Sequence, residues 1–272
     1  MEIATLLSII GLLLATGAFA GILAGLLGVG GGVVLVIAFL YAFRATGFAG
    51  PDVMQICLAT SLATVIVTSL RSVAAHNRAG AVEWSILKAW APFLSLGAAL
   101  GVVLAVNLHS NALQMIFALL AAFLGIYMAF GRSSWRLGDR FPTGLGGRVS
   151  AAVVGLLSVL MGIGGGSFGV PLMTLFNVPV HRAVATAAGF GVAIAAPSVL
   201  AFLFVTIEAP APPLTLGAVN LIALAVVVPV TALTTPWGAA LAHRLPAMQL
   251  RRGFGVFLLL VSANMLREAL GA

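Results

Sequence analysis

Gly28-Val29-Gly30-Gly31-Gly32 and Gly162-Ile163-Gly164-Gly165-Gly166 are the places in this chain where residue type and spacing point most directly to chemistry. Each cluster sits inside an apolar run. Four glycines in five residues break a helix, because each costs about 1 kcal/mol relative to alanine in a helix interior. A helix that restarts after such a break presents unpaired backbone N–H groups and about half a positive charge, so it binds an anion without a cationic side chain. Gly30, Gly31, Gly32, Gly164, Gly165 and Gly166 are therefore candidate ligands for a small oxyanion. Hydroxyls accompany them: Thr60 and Ser61 in Ala59-Thr60-Ser61, Thr186 in the parallel Ala185-Thr186-Ala187, and Ser167 directly after the second cluster. A single Ser or Thr in an apolar helix usually just bonds a carbonyl of the preceding turn. These four stand out because they travel with the duplicated motif, whereas Gly21/Gly25 and Gly97/Gly101 read as close helix packing.

Other chemistries have less behind them. Gly165-Gly166-Ser167-Phe168-Gly169 matches the nucleophile elbow, but that motif needs a strand-to-helix turn and His and Asp partners. No Asp follows the linker that ends at Arg148, and His181 and His243 fall in predicted loops. His76, His109, His181 and His243 are dispersed, without the spacing of metal ligands. His76-Asn77-Arg78 reads as a solvated cytoplasmic loop or a gate. Cys57, the single cysteine, reads as a small buried hydrophobe. There is no phosphate-loop signature and no dinucleotide fingerprint in a βαβ setting. The reading is a non-enzyme with no cofactor and no metal.

The elements that must position these residues are membrane-spanning. Hydrophobic residues make up 62% of the 272-residue chain and charged residues 7%, against about 25% charged in a soluble domain. The net charge of +7 does not mark a nucleic-acid binder, because the basic residues lie singly or in short groups between apolar runs. Those runs cover about 4–27, 29–43, 53–70, 89–106, 112–130, 149–161, 163–178, 184–206, 215–241 and 253–266. The pairs around each cluster read as glycine-broken hairpins, 4–43 and 149–178, that begin and end on one side. Cytoplasmic loops are enriched in Lys and Arg. With the linker 131–148 (Arg132, Arg136, Arg140, Arg148) cytoplasmic, every basic residue except Arg44 and Arg267 falls on that side. Glu2, Asp52, Glu208 and Glu268 fall outside. A rival in which each hairpin crosses once puts Arg182 outside.

The expected fold is thus an all-α polytopic membrane protein of two inverted-topology repeats, each a glycine-broken helical hairpin plus three transmembrane helices. Residues 1–130 form the first repeat, 131–148 a basic cytoplasmic linker and 149–272 the second repeat. Two broken segments at matching places in inverted halves mark a transporter's substrate site. Asn220, inside an apolar run, needs a partner on a neighbouring helix or in a substrate. Glu2 and the absence of basic residues before Leu6 argue against a cleaved signal peptide.

The sequence resembles the TauE/SafE sulfite exporter family of membrane permeases. The resemblance rests on Gly25-Leu26-Leu27-Gly28-Val29-Gly30-Gly31-Gly32, on Gly155 through Pro171, on Ala59-Thr60-Ser61-Leu62 and on His76-Asn77-Arg78-Ala79-Gly80-Ala81-Val82. It implies transport of small sulfur-containing anions such as sulfite, sulfonates or sulfoacetate across a bacterial-type inner (plasma) membrane. The partners are then a small anionic substrate and the lipid bilayer, with a homo-oligomer compatible and no nucleic acid. An inside-negative potential expels an anion at about 2.3 kcal/mol per charge per 100 mV, and no mid-membrane carboxylate offers itself as a proton carrier. Export by uniport is the economical expectation. The alternatives are an anion channel and a permease for another small organic anion.

Overall fold

The computed structural model describes residues 3–27, 31–131, 135–139, 141–142, 144–207, 210–242 and 247–270. Gly28, Val29 and Gly30 of the first cluster, together with Glu2, Arg132, Arg140, Glu208, His243 and Arg244, lie outside them.

Glycine and hydrophobic length decide where helices form and stop. Among the described residues ten helices follow one another: α1 (Ile3–Leu27), α2 (Gly32–Ala45), α3 (Val53–Arg78), α4 (Trp84–Val106), α5 (Ser110–Phe130), α6 (Leu145–Leu160), α7 (Gly166–Leu175), α8 (Val180–Phe202), α9 (Leu221–Ala242) and α10 (Ala247–Ala269). Among them α3, α4, α5, α8 and the stretch Leu221–Gly238 of α9 are long and apolar enough to cross a membrane. At about 1.5 Å per residue, the 10 residues of α7 span about 15 Å, half of a hydrocarbon core of about 30 Å. The chain is an all-α polytopic membrane protein whose helices α1/α2 and α6/α7 are separated at the two glycine clusters.

Several local expectations are corrected. The run 215–241 is not one helix. Thr215–Leu216 pairs with Val219–Asn220 as a small antiparallel hairpin before α9 begins. Asn220 is therefore the cap of α9 rather than a mid-helix residue: its Oδ1 accepts from the Ala223 N–H at 2.9 Å, as an N-cap residue does. His76-Asn77-Arg78 forms the last turn of α3 rather than a loop, with Asn77 accepting from the Trp84 indole at 2.9 Å. His181 lies in the first turn of α8. Both polar groups stand at helix ends, inside the last turn of α3 and the first turn of α8, one step from the boundaries at which they were read.

Packing follows the small residues. α1 packs along α9 and α6 along α4; α3 packs against α8, α5 against α10, α2 against α3 and α7 against α8. A Cβ added at Gly97 would fall 1.8 Å from the Ala152 carbonyl oxygen, and one at Gly155 would fall 2.1 Å from the Leu94 carbonyl oxygen. Only glycine lets α4 and α6 approach that closely, as the sequence suggested for Gly97/Gly101.

Candidate functional site

The second break is a helix stop followed at once by a helix start. Gly162 adopts φ +59°. The Ile163 N–H bonds the Ser158 carbonyl at 2.9 Å and the Gly162 N–H bonds the Val159 carbonyl at 2.8 Å, the Schellman pattern that satisfies the last carbonyls of α6. Three residues later Gly165 caps α7, with no side chain bonding its first turn. Residues 161–167 are all buried. In the first half Gly31, at φ +65°, caps α2, and a Cβ there would lie 2.4 Å from the Ala20 carbonyl oxygen of α1.

The two breaks touch. A Cβ added at Gly32 would lie 2.7 Å from the Gly162 carbonyl oxygen and 3.0 Å from Ile163 Cα. Between them Ser61 Oγ stands 2.7 Å from the Gly162 oxygen and 3.2 Å from the Gly32 oxygen. Its one proton goes to the nearer acceptor, so Ser61 clasps the second break from a helix of the first half.

Thr60 and Thr186 are doing a shared job elsewhere. Thr60 Oγ1 accepts from the Asn220 backbone N–H at 3.0 Å, just ahead of α9. Thr186 Oγ1 accepts from the Glu83 N–H at 2.9 Å, just ahead of α4. Thr60 of α3 thus seats the start of α9, and Thr186 of α8 seats the start of α4. Losing the Thr60 hydroxyl leaves a buried amide unpaired and losing that of Thr186 a half-buried one, at a cost of up to about 1–3 kcal/mol. Thr60→Val and Thr186→Val are each expected to lower the melting temperature in detergent by several degrees, with Thr→Ser close to the parent; a differential scanning measurement on the four variants checks this.

Two cavities flank the start of α7 and share Gly166. The smaller, about 30 Å³, is lined by Gly164, Gly165 and Gly166, by Thr68, Ser69 and Ser72 of α3, and by Thr235 of α9. Thr68 bonds its own helix. Ser69 and Ser72 have no hydrogen-bond partner among the described residues. Sequence reading passed over these two serines, although Ser61, Thr64, Thr68 and Ser72 step along one face of α3 at spacings of three and four. The larger cavity, about 540 Å³, runs from Gly166 and Ser167 along α7 to Asn177, Trp135, Arg136 and Arg251. Ser167 is 2% exposed, and its Oγ is one of two fully buried side-chain polar atoms without a partner among the described residues, the other being Ser158 Oγ. Buried hydroxyls are almost always hydrogen-bonded, so one left unpaired at a helix start has room for a partner from outside the chain. Gly164, Gly165, Gly166 and Ser167 are brought together around these cavities; Gly31, Gly32 and Ser61 meet at the contact between the breaks; Thr60 and Thr186 stand apart from both; Gly30 lies outside the described residues. Among the described residues no group of three or more His, Cys, Asp or Glu is placed to hold a metal.

Comparison with known proteins agrees with these features. Residues 13–265 match the family model described as Sulfite exporter TauE/SafE. The chain is 29% identical over 255 residues to a probable membrane transporter protein of Haemophilus influenzae, covering 93% of this chain and 97% of that one. It is 29% identical over 179 residues to one of Methanocaldococcus jannaschii, covering 65% and 66%. It is 26% identical over 194 residues to the probable membrane transporter protein YunE of Bacillus subtilis, covering 64% and 71%. No solved structure matches the chain. These relatives are named as transporters, not as enzymes. With the family match running from α1 to α10 and through both glycine breaks, the chain belongs to the TauE/SafE sulfite exporter family of membrane transporters.

Proposed function

We propose that this protein is a secondary transporter that exports small sulfur-containing anions, such as sulfite or organosulfonates, across a bacterial-type inner membrane. The observation that carries the reading is the unpartnered, buried Ser167 hydroxyl at the start of α7, where the 540 Å³ cavity ends on Gly166. The amides of Gly164, Gly165 and Gly166 and this hydroxyl hold the anion in place of its hydration shell. Gly31, Gly32 and Ser61 hold the two breaks together, and Thr60 and Thr186 seat the surrounding helices.

Two inverted repeats, 1–130 and 149–272 joined by a cytoplasmic linker 131–148, supply the alternating access. Support comes from the pairing of helices: α1 on α9 matches α6 on α4, α2 on α3 matches α7 on α8, and α3 and α5 meet their own counterparts α8 and α10. Sidedness has support as well. Arg182 pairs with Glu83 and Arg44 with Glu268, each pair drawn from helix ends assigned to one side. The rival single-crossing topology separates Arg182 from Glu83 by a bilayer of about 30 Å, which no ion pair spans. Rocking of one repeat against the other opens the site to each side in turn.

Thermal stabilisation of the purified protein by sulfite, sulfate, ethanesulfonate, acetate and an uncharged analogue tests the reading. Sulfur oxyanions are expected to raise the melting temperature. Ser167→Ala, which removes a hydroxyl with no protein partner, is expected to leave the unliganded protein intact and to weaken binding about tenfold or more, as loss of a hydrogen bond to a charged group does. No shift with any anion returns the glycines to plain packing.

A further inference from the structure

The end of the molecule opposite the large cavity carries a cluster that neither the glycine motif nor the family match accounts for. Glu268, one residue before the end of α10, has both carboxylate oxygens hydrogen-bonded. Arg44 Nη1 donates to Oε2 at 2.7 Å. The Tyr41 hydroxyl donates to Oε1 at 2.8 Å and Asn264 Nδ2 donates to the same oxygen at 3.1 Å. Gln114, fully buried on α5, fixes the arginine by accepting from its Nη2 at 2.8 Å, and is itself anchored by donating to the Met265 carbonyl at 3.1 Å. A guanidinium, a phenol and an amide from two helices, braced by a third, thus converge on one planar oxyanion. That donor set suits a sulfonate or sulfite oxygen equally, because each offers the same acceptors to the same N–H and O–H groups.

The other end of the α5/α10 pair is built on the same plan without the acid. Arg251, at the place in α10 that Gln114 holds in α5, donates to the Tyr127 carbonyl at 2.9 Å. There the space beside α7 is the open 540 Å³ cavity, with Arg136 and Arg251 in its lining and no acidic residue. One end holds an internal carboxylate on Arg44, and the other has a cavity beside Arg251.

We propose that Arg44, Tyr41 and Asn264 form an oxyanion-binding site at the external mouth, occupied in this conformation by the protein's own Glu268, and that an anion taking the place of Glu268 unlatches that mouth. This rests on the transporter reading and adds a second anion station, distinct from Ser167. Glu268 acts as a tethered substitute for the substrate: it keeps the exit closed while the site is open inward, and it yields to an anion on Arg44.

The native Cys57 reports on the latch. It is the single cysteine, is buried, and lies in the second turn of α3. Proteoliposomes of one orientation are treated on the Arg44 face with a membrane-impermeant maleimide, with ethanesulfonate as the anion. Labelling of the parent is expected to be slow and to rise saturably with ethanesulfonate, at least tenfold. Choline chloride of equal ionic strength should have little effect, since simple screening of an ion pair is not specific to a sulfonate. Glu268→Gln is expected to label at least tenfold faster with no anion present, and the exchange Arg44→Glu with Glu268→Arg to label slowly again. A parent that responds equally to chloride, or never responds, overturns the proposal, as does Glu268→Gln labelling at the parent rate. The parent's response needs no variant, so a misfolded Glu268→Gln leaves the test standing. Labelling is read without flux: an ethanesulfonate response with no transport sinks the export reading and keeps the station, and the reverse pattern does the opposite.

Discussion

Gly162→Val is expected to abolish transport and to leave most of the protein misfolded. Three costs fall on one residue. Gly162 sits at φ +59°, where an L side chain loses about 1–2 kcal/mol and a β-branched one more. Its new Cβ would lie 2.6 Å from Val36 Cγ2 and 3.1 Å from Leu58 Cα, an overpacking that costs about 1–3 kcal/mol in a core with no slack. Backbone relief of either clash shifts the carbonyl that Ser61 holds at 2.7 Å and opens the contact between the two breaks. The total reaches the size at which marginally stable proteins fail. Size-exclusion profiles of a fluorescent fusion should show aggregate in place of the parent peak. Gly146→Ala, in the same half and with nothing within 4 Å of its added Cβ, is the control and should elute as the parent does. A monodisperse Gly162→Val protein with native transport would show that the breaks do not need their close contact.

Membrane potential should govern how far the anion accumulates. For an uncoupled monovalent anion, 100 mV contributes about 2.3 kcal/mol, which is a concentration ratio of about fifty. An inside-negative potential of that size is expected to empty proteoliposomes of ethanesulfonate to about one-fiftieth of the outside level, and reversing its sign to concentrate it inside to the same degree. The measurement is the steady-state distribution of labelled ethanesulfonate under potassium–valinomycin clamps of each sign. A distribution indifferent to the clamp would mean that a proton or other cation travels with the anion. A channel gives the same endpoint with unsaturable kinetics, so initial rates against concentration separate the two.

The glycine clusters announced the breaks, because nothing else in an apolar run costs a helix so much. They did not announce which glycine does what. Gly162 closes α6 and Gly165 opens α7, and the division depends on a φ value that composition does not encode. Ala59-Thr60-Ser61 and Ala185-Thr186-Ala187 match in sequence, yet the partners of Thr60 and Thr186 come from segments far away along the chain. Asn220 was hidden because the apolar run from 215 conceals a turn at Gly217, which adopts φ +56°. Ser69 and Ser72 went unremarked because hydroxyls in apolar helices are usually satisfied by their own backbone, and only the packing of α7 against α8 beside α3 leaves these facing a cavity. Arg44 and Glu268 were placed on one side by the hairpin topology, Arg44 as an exception to the charge bias; that they meet requires α2, α5 and α10 to converge, which no local pattern specifies.

The shortness of α7 has an electrical consequence. A voltage applied across a membrane falls over whatever insulates, not over the full bilayer. Water reaching Ser167 along the large cavity would carry the potential of the side it opens to inward to the start of that 10-residue helix. Most of the drop would then lie across the thin seal formed by residues 161–167, Gly32 and Ser61. In such a focused field an ion moved by a few ångströms does nearly the electrical work of a whole crossing. A small movement about that seal would then be enough to couple the transmembrane voltage to transport.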